Sequence, residues 1–67
     1  MTVRELWYKW ENWDESLPVM FFTEGGDWIN TFRNYEDIAA HLWNMDVYTF
    51  GLTPIGAVRY AVIACEV

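Results

Sequence analysis

Cysteine and histidine are nearly absent, because Cys65 and His41 are the only residues of their kinds. A lone cysteine excludes an internal disulfide, and a lone histidine without a second thiol leaves too few ligands for a zinc site. A chain of 67 residues buries only about 60% of the surface that its unfolded form exposes. We therefore expect no metal and no cofactor, and we expect stability to come from a hydrophobic core and from association with another chain.

Long hydrophobic runs are also missing. The longest uncharged stretch, 47–58, contains Gly51, Pro54 and Gly56 and falls short of the roughly 20 residues that cross a bilayer. The segment 1–5 carries charge and no apolar region, so it does not resemble a signal peptide. With no disulfide to form, these features predict a cytoplasmic protein that does not bind membranes.

Positive charge is scarce. Four Lys and Arg residues stand against ten Asp and Glu residues, which gives a net charge of -6. Phosphate binding depends on Lys and Arg, so this composition argues against direct binding of nucleic acid. Most of the acids lie in the middle of the chain, namely Glu11, Asp14, Glu15, Glu24, Asp27, Glu36 and Asp37. A basic protein surface is the partner that such a charge distribution favours.

What the chain has in abundance is aromatic residues: five Trp, four Tyr and four Phe. Aromatic side chains fill small cores and also anchor binding surfaces. Trp28 and Trp43 are assigned to the core by the apolar residues around them. The three tryptophans near the N-terminus are more than such a core requires.

The first half of the chain has the composition of β-structure. β-forming residues over 3–11 predict a first strand, and on it Trp7 lies on the more polar side. A polar loop leads to strands over 19–23 and 27–33, which the glycines of the pair 25–26 join as a hairpin.

The second half contains the predicted helix. It begins at Asn34, a good N-cap, and Asn44 and Asp46 mark its end. A short strand over 47–50 follows, and then a last strand over 57–67 that is apolar on both faces and therefore central in the sheet.

These elements predict a single α+β domain over 1–67, with the order β-β-β-α-β-β. The expected architecture is a small antiparallel sheet of four to five strands with one helix packed on one face. A helix of about 16 Å covers only part of one sheet face. The other face must be covered by loops, by a second copy of the chain or by another protein.

Candidate catalytic groups are few. His41 lies at the edge of the predicted helix with no partner nearby in sequence, and Cys65 lies in a strand predicted to be buried, where a thiol is inert. The acid pairs 14–15 and 36–37 lack the alternating pattern of a calcium loop, and the second pair suits the start of a helix. We therefore predict that the chain is not an enzyme.

The segment 10–15 is the strongest candidate for binding, because two tryptophans three residues apart alternate with acids. The alternative is that Trp10 caps the core, Trp13 folds back over the helix and the acids are solvated. The predicted partner-binding residues are Trp7, Trp10, Glu11, Trp13, Asp14, Glu15, Glu24, Asp27, Glu36 and Asp37.

The expected function is that of a small acidic protein that inhibits or modulates a partner by occupying its basic, nucleic-acid-binding surface. In size and charge the chain resembles phage-encoded inhibitors of host enzymes. The alternative is a structural or regulatory subunit that forms a homodimer through an uncovered aromatic sheet face.

Overall fold

Four strands form one mixed sheet in the computed structural model, which describes residues 1–66. Val67, the end of the predicted last strand, lies outside the described residues. The elements are helix α1 (Val3–Lys9), strands β1 (Val19–Thr23) and β2 (Trp28–Phe32), two 3-10 helices (Tyr35–Asp37 and Ala40–Asn44), and strands β3 (Val47–Ile55) and β4 (Val58–Cys65). In the sheet the strands follow the order β2-β1-β4-β3.

The pairing of the strands confirms the α+β class, the hairpin at Gly25 and Gly26, and the central position of the last strand. Gly26 has a φ of 93°, the region that glycine adopts without strain. Two details of the predicted fold differ. The helix precedes all the strands, and the sheet is mixed because β1 and β4 run parallel, with Val19 opposite Ala61 and Thr23 opposite Cys65.

The segment predicted as the first strand is helix α1, so that prediction is wrong. Thr2 and Glu5 form a capping box: the Glu5 N–H donates to Thr2 Oγ1 at 3.2 Å, and the Thr2 N–H donates to Glu5 Oε1 at 2.9 Å. Val3 and Leu6, three residues apart, then fall on one buried face. Cap and spacing outweigh the β-propensity of the segment.

Thr2→Ala should lower the free energy of unfolding by about 1 kcal/mol, because it leaves a backbone N–H of the first turn without a partner. The cap also lowers the pKa of Glu5, chiefly through the hydrogen bond from the Thr2 backbone. A carboxyl whose pKa falls on folding stabilises the fold at neutral pH and loses that effect as the pH drops through the acid range. Urea unfolding at neutral and acid pH measures both effects.

Thr2→Ser is the matched control, because serine retains the cap and should unfold like the wild type. A Thr2→Ala variant as stable as Thr2→Ser would show that the capping box contributes nothing.

The predicted helix after Asn34 is also wrong in form, although Asn34 does cap, accepting a hydrogen bond from the Glu36 N–H at 3.0 Å. Ile38 and Ala39 are extended, with ψ of 127° and 138°, and they separate the two 3-10 helices. In this conformation Ile38 and Leu42 are both buried in the core. Packing of these side chains therefore outweighs the helical periodicity of the segment.

The core lies between one face of the sheet and the layer formed by α1 and the 3-10 helices. The sheet contributes Val19, Phe21, Ala61, Ile63 and Cys65, and the other layer contributes Val3, Leu6, Trp13, Ile38 and Leu42. Burial raises the pKa of the Cys65 thiol, as expected for a thiol in apolar surroundings. The two central strands thus bury alternate residues on this side, except Thr23 at the end of β1 and Arg59 near the start of β4.

Candidate functional site

The opposite side of the sheet carries apolar side chains that no element covers among residues 1–66. Met20 and Phe22 on β1, and Val62 and Ala64 on β4, alternate with the core residues and are half-buried. We call this surface the open face, and it consists of Met20, Phe22, Trp28, Thr31, Thr49, Gly51, Thr53, Ile55, Val58, Tyr60, Val62 and Ala64. None of these residues is charged. The structure thus has one covered and one open sheet face, and the second apolar side of the last strand lies on the open face.

Trp28 is the most prominent side chain of the open face. It lies opposite Phe22 across the first hairpin and is 60% exposed. Its Nε1–H donates to Thr31 Oγ1 at 2.9 Å, which holds the indole in place on the surface. A large aromatic ring whose position is already set is a favourable anchor for a partner, because little side-chain freedom is lost on binding.

Charged residues gather at the two ends of the open face. Because β1 and β4 are parallel, their last residues lie at the same end of the sheet, beside the start of β3. The acidic end consists of four exposed residues, Glu24, Asp27, Asp46 and Glu66. The arginine end, at the opposite edge, holds the exposed Arg33 after β2. Arg59, near the start of β4, is also exposed at this end, but it alternates with Val58 and Tyr60 and so lies on the covered side of the sheet.

The three N-terminal tryptophans that were predicted to face a partner pack instead among other aromatic rings. Trp13 is only 3% exposed and stacks on Trp43 with 6.0 Å between ring centroids. Trp7 stacks on Tyr35 at 4.4 Å, and Trp10 lies 4.7 Å from Phe50. Trp7 and Trp10 are half-buried against the core. The alternative interpretation of Trp10 and Trp13, as core residues, is the one that agrees with this packing.

The predicted acidic residues lie on three separate segments of the fold. Glu11, Asp14 and Glu15 follow α1 in the loop that carries the buried Trp13, and they are exposed. Glu36 and Asp37 lie in the first 3-10 helix. Asp14 Oδ1 accepts hydrogen bonds from the Ser16 N–H and hydroxyl, each at 2.8 Å, and the backbone bond foremost lowers the pKa of Asp14. Asp14 therefore has a local structural role.

Only Glu24 and Asp27, of the predicted acids, lie at the acidic end, on the hairpin turn between β1 and β2. Asp46 and Glu66 complete this group, and the Glu66 N–H donates to the Asp46 carbonyl at 2.9 Å. The assignment of Trp28 to the core is wrong, because its side chain is exposed. The sequence pattern also missed Asp46 and Glu66. Trp28 had one signal that could have indicated exposure, because its strand also carries Asn30 and Thr31.

No family model, no curated protein and no solved structure matches this chain. Its function must therefore be inferred from its own surfaces. No helix among residues 1–66 has the length and apolar character to cross a membrane. The same residues contain no group of three or more His, Cys, Asp or Glu side chains arranged to hold a metal ion.

A shallow cleft of about 280 Å³ lies between α1 and the 3-10 helices. Its lining residues are Arg4, Trp7, Tyr8, Tyr35, Glu36 and Trp43. The guanidinium carbon of Arg4 is 5.7 Å from the centroid of the Trp43 ring, a cation–π distance. Arg4 thus lies against Trp43 in the wall of the cleft. The volume of the cleft is just below the range of about 300–1,000 Å³ that small-molecule sites occupy.

Trp13 Nε1 is buried and has no hydrogen-bond partner. The Trp13 and Trp7 rings meet at 87° with their centroids 5.0 Å apart. This edge-to-face arrangement is the one in which an N–H group can donate to an aromatic face.

Proposed function

We propose that this protein acts by occupying a basic surface of a protein partner, and that the open face is the centre of the contact. The observation that carries this proposal is Trp28, an exposed and positioned indole on an uncharged sheet face beside Glu24 and Asp27. Interfaces commonly combine an aromatic anchor at their centre with charged residues at the rim. The open face and the acidic end offer that combination.

Charge supports a basic partner. The net charge of -6 attracts a positively charged surface over distance and raises the rate of association. The acidic end places four of the acids beside the open face, where they are available to basic residues of a partner that covers the apolar patch. Proteins that bind nucleic acid expose basic surfaces of this kind. A chain bound there competes with the nucleic acid and acts as an inhibitor or modulator in the cytoplasm.

The second candidate is a subunit that forms a homodimer through the same face. The observation that favours it is the absence of charge among the described residues of the open face, because two copies with a net charge of -6 repel each other through any charged surface. The two candidates share one surface, so a partner and a second copy compete for it.

Reversing the charge of the acidic end should weaken partner binding by about tenfold or more, since like charges placed opposite each other are unfavourable. The variant is Glu24→Lys with Asp27→Lys. Both side chains are exposed, and Asp27 contacts Thr23 only through its backbone N–H and carbonyl. The immobilised chain is exposed to cytoplasmic extract, captured proteins are identified, and their affinities are measured by titration at two salt concentrations.

Glu11→Lys with Glu15→Lys is the matched control, because it changes the net charge equally in the loop after α1. A short DNA duplex should release the captured protein if the bound surface is the one that binds nucleic acid. Equal loss of affinity in both double variants would show that net charge alone acts. A complex that DNA does not displace would rule out competition with nucleic acid.

A further inference from the structure

We infer that a second copy of this chain covers the open face in a two-fold dimer, with the strands of the facing sheets running in opposite directions. This inference rests on the open face being an interface, as in the proposed function, and it names an occupant and an arrangement. Two sheets that pack face to face lie about 10 Å apart with their strands roughly aligned.

The first step concerns the centre of the open face, which is free of charge. Two copies that each carry a charge of -6 repel each other, and an uncharged centre adds no further repulsion to their contact. Met20, Phe22, Val62 and Ala64 give the two central strands such a surface, and Trp28 extends it at one side. Burying these groups removes apolar area from water, which drives association.

The second step is the direction of the two-fold axis. Two identical faces can meet through an axis in the interface that runs either along the strands or across them. An axis along the strands brings the acidic end of one copy against the acidic end of the other. An axis across the strands brings the acidic end against the arginine end, twice by symmetry. The charges therefore select the axis across the strands.

The third step is the strand register. Rotation about an axis across the strands keeps each strand opposite its own counterpart, so Arg33 of one copy faces the hairpin turn of the other at Glu24. Arg33 lies one residue beyond Phe32, which pairs with Val19, and Glu24 lies one residue beyond Thr23. The midpoint of this pair is at the level of Phe21.

Arg59 takes no part in this contact. It lies two residues before the buried Ala61, between Val58 and Tyr60 of the open face, so it falls on the covered side of β4. The charge contact between the copies is therefore that of Arg33 with Glu24, which the two-fold axis forms twice.

The size of the face sets the strength of the dimer. The Cα extents of 30 × 24 × 18 Å limit the projected area to about 700 Å². A standard interface buries about 800 Å² of accessible surface on each partner. The dimer is therefore expected to be reversible and to depend on protein concentration.

Sedimentation equilibrium of charge-reversal variants tests this arrangement. Arg33→Glu should weaken the dimer by about tenfold, because both symmetric contacts become repulsive. Glu24→Lys should weaken it for the same reason. The double variant with both substitutions retains the net charge of -6 and should dimerise like the wild type, because the two charges have exchanged ends.

Arg33→Glu with Glu11→Lys also retains the net charge but does not restore the contact, so it should remain as weak as Arg33→Glu alone. Arg33→Gln and Glu24→Gln, which remove a charge without reversing it, test the contact again if a reversed variant does not fold. Circular dichroism checks the fold of each variant.

A wild-type chain that stays monomeric at the highest attainable concentration would overturn the dimer. Equal dimerisation of all variants, or a double variant that is not restored, would overturn the arrangement. Partner capture is measured separately, at concentrations where the chain is monomeric. Loss of capture with an intact dimer would contradict the proposed function alone. Loss of the dimer with intact capture would contradict the dimer alone.

Discussion

Trp13→Ala should destabilise the domain by about 3–5 kcal/mol, as expected for the truncation of a large aromatic side chain in a core. Trp13 is 3% exposed, stacks on Trp43 and meets the edge or face of Trp7. Small domains have little stability in reserve, since native proteins as a class are stable by only about 5–15 kcal/mol. We therefore expect much of the variant to be unfolded in buffer, which urea titration followed by circular dichroism will measure.

Trp28→Ala is the matched control, because the same substitution is made at a tryptophan that is 60% exposed. Its free energy of unfolding should change by about 1 kcal/mol or less, since surface substitutions seldom cost more. Equal losses at the two positions would contradict the division of the tryptophans into a buried group and an exposed anchor. Trp28→Ala should reduce partner capture, which Trp13→Ala can affect only by unfolding the chain.

Leu42→Ala should cost about 2–5 kcal/mol, the range for removing a buried leucine side chain. Leu42 is fully buried in the second 3-10 helix. Helices this short are not stable alone, so their position against the sheet depends on the few side chains that they bury. The loss should appear in urea unfolding and as a changed near-ultraviolet signal from the neighbouring Trp43.

His41→Ala serves as the comparison for Leu42→Ala, because His41 is its neighbour in sequence and is exposed. We expect its stability to stay close to that of the wild type. If Leu42→Ala unfolded at the same urea concentration as His41→Ala, the second 3-10 helix would contribute nothing to the stability of the core.

Local signals predicted the strands better than the helices. The hairpin at Gly25 and Gly26 and the burial of Cys65 followed from turn chemistry and strand composition. The segment that became α1 contained both a capping box and β-forming residues, and only the first signal was decisive. The helix predicted from Asn34 carried the right periodicity, but the segment forms two 3-10 helices whose position depends on the burial of Ile38 and Leu42, which local periodicity does not determine.

The candidate site was less accessible to sequence reasoning because its geometry depends on long-range pairing. The acidic end exists because β1 and β4 are parallel, which brings Glu24 close to Glu66. No sequence pattern within a single segment indicates that Glu24 and Glu66 are neighbours in the fold. An uncovered sheet face was expected, because one short helix covers only part of one face of the sheet. The position of Trp28 on that face was not expected.

The position of β4 has a consequence for the order of folding. The hairpins β1–β2 and β3–β4 are local and can form early, whereas the β1–β4 pair joins Val19 to Ala61 across most of the chain. During synthesis, β4, one of the two central strands, is the last of the four to leave the ribosome. Until then the inner edge of β1 remains unpaired and able to bind another nascent chain. The rate at which β4 docks thus decides how long each newly made molecule is exposed to misassembly.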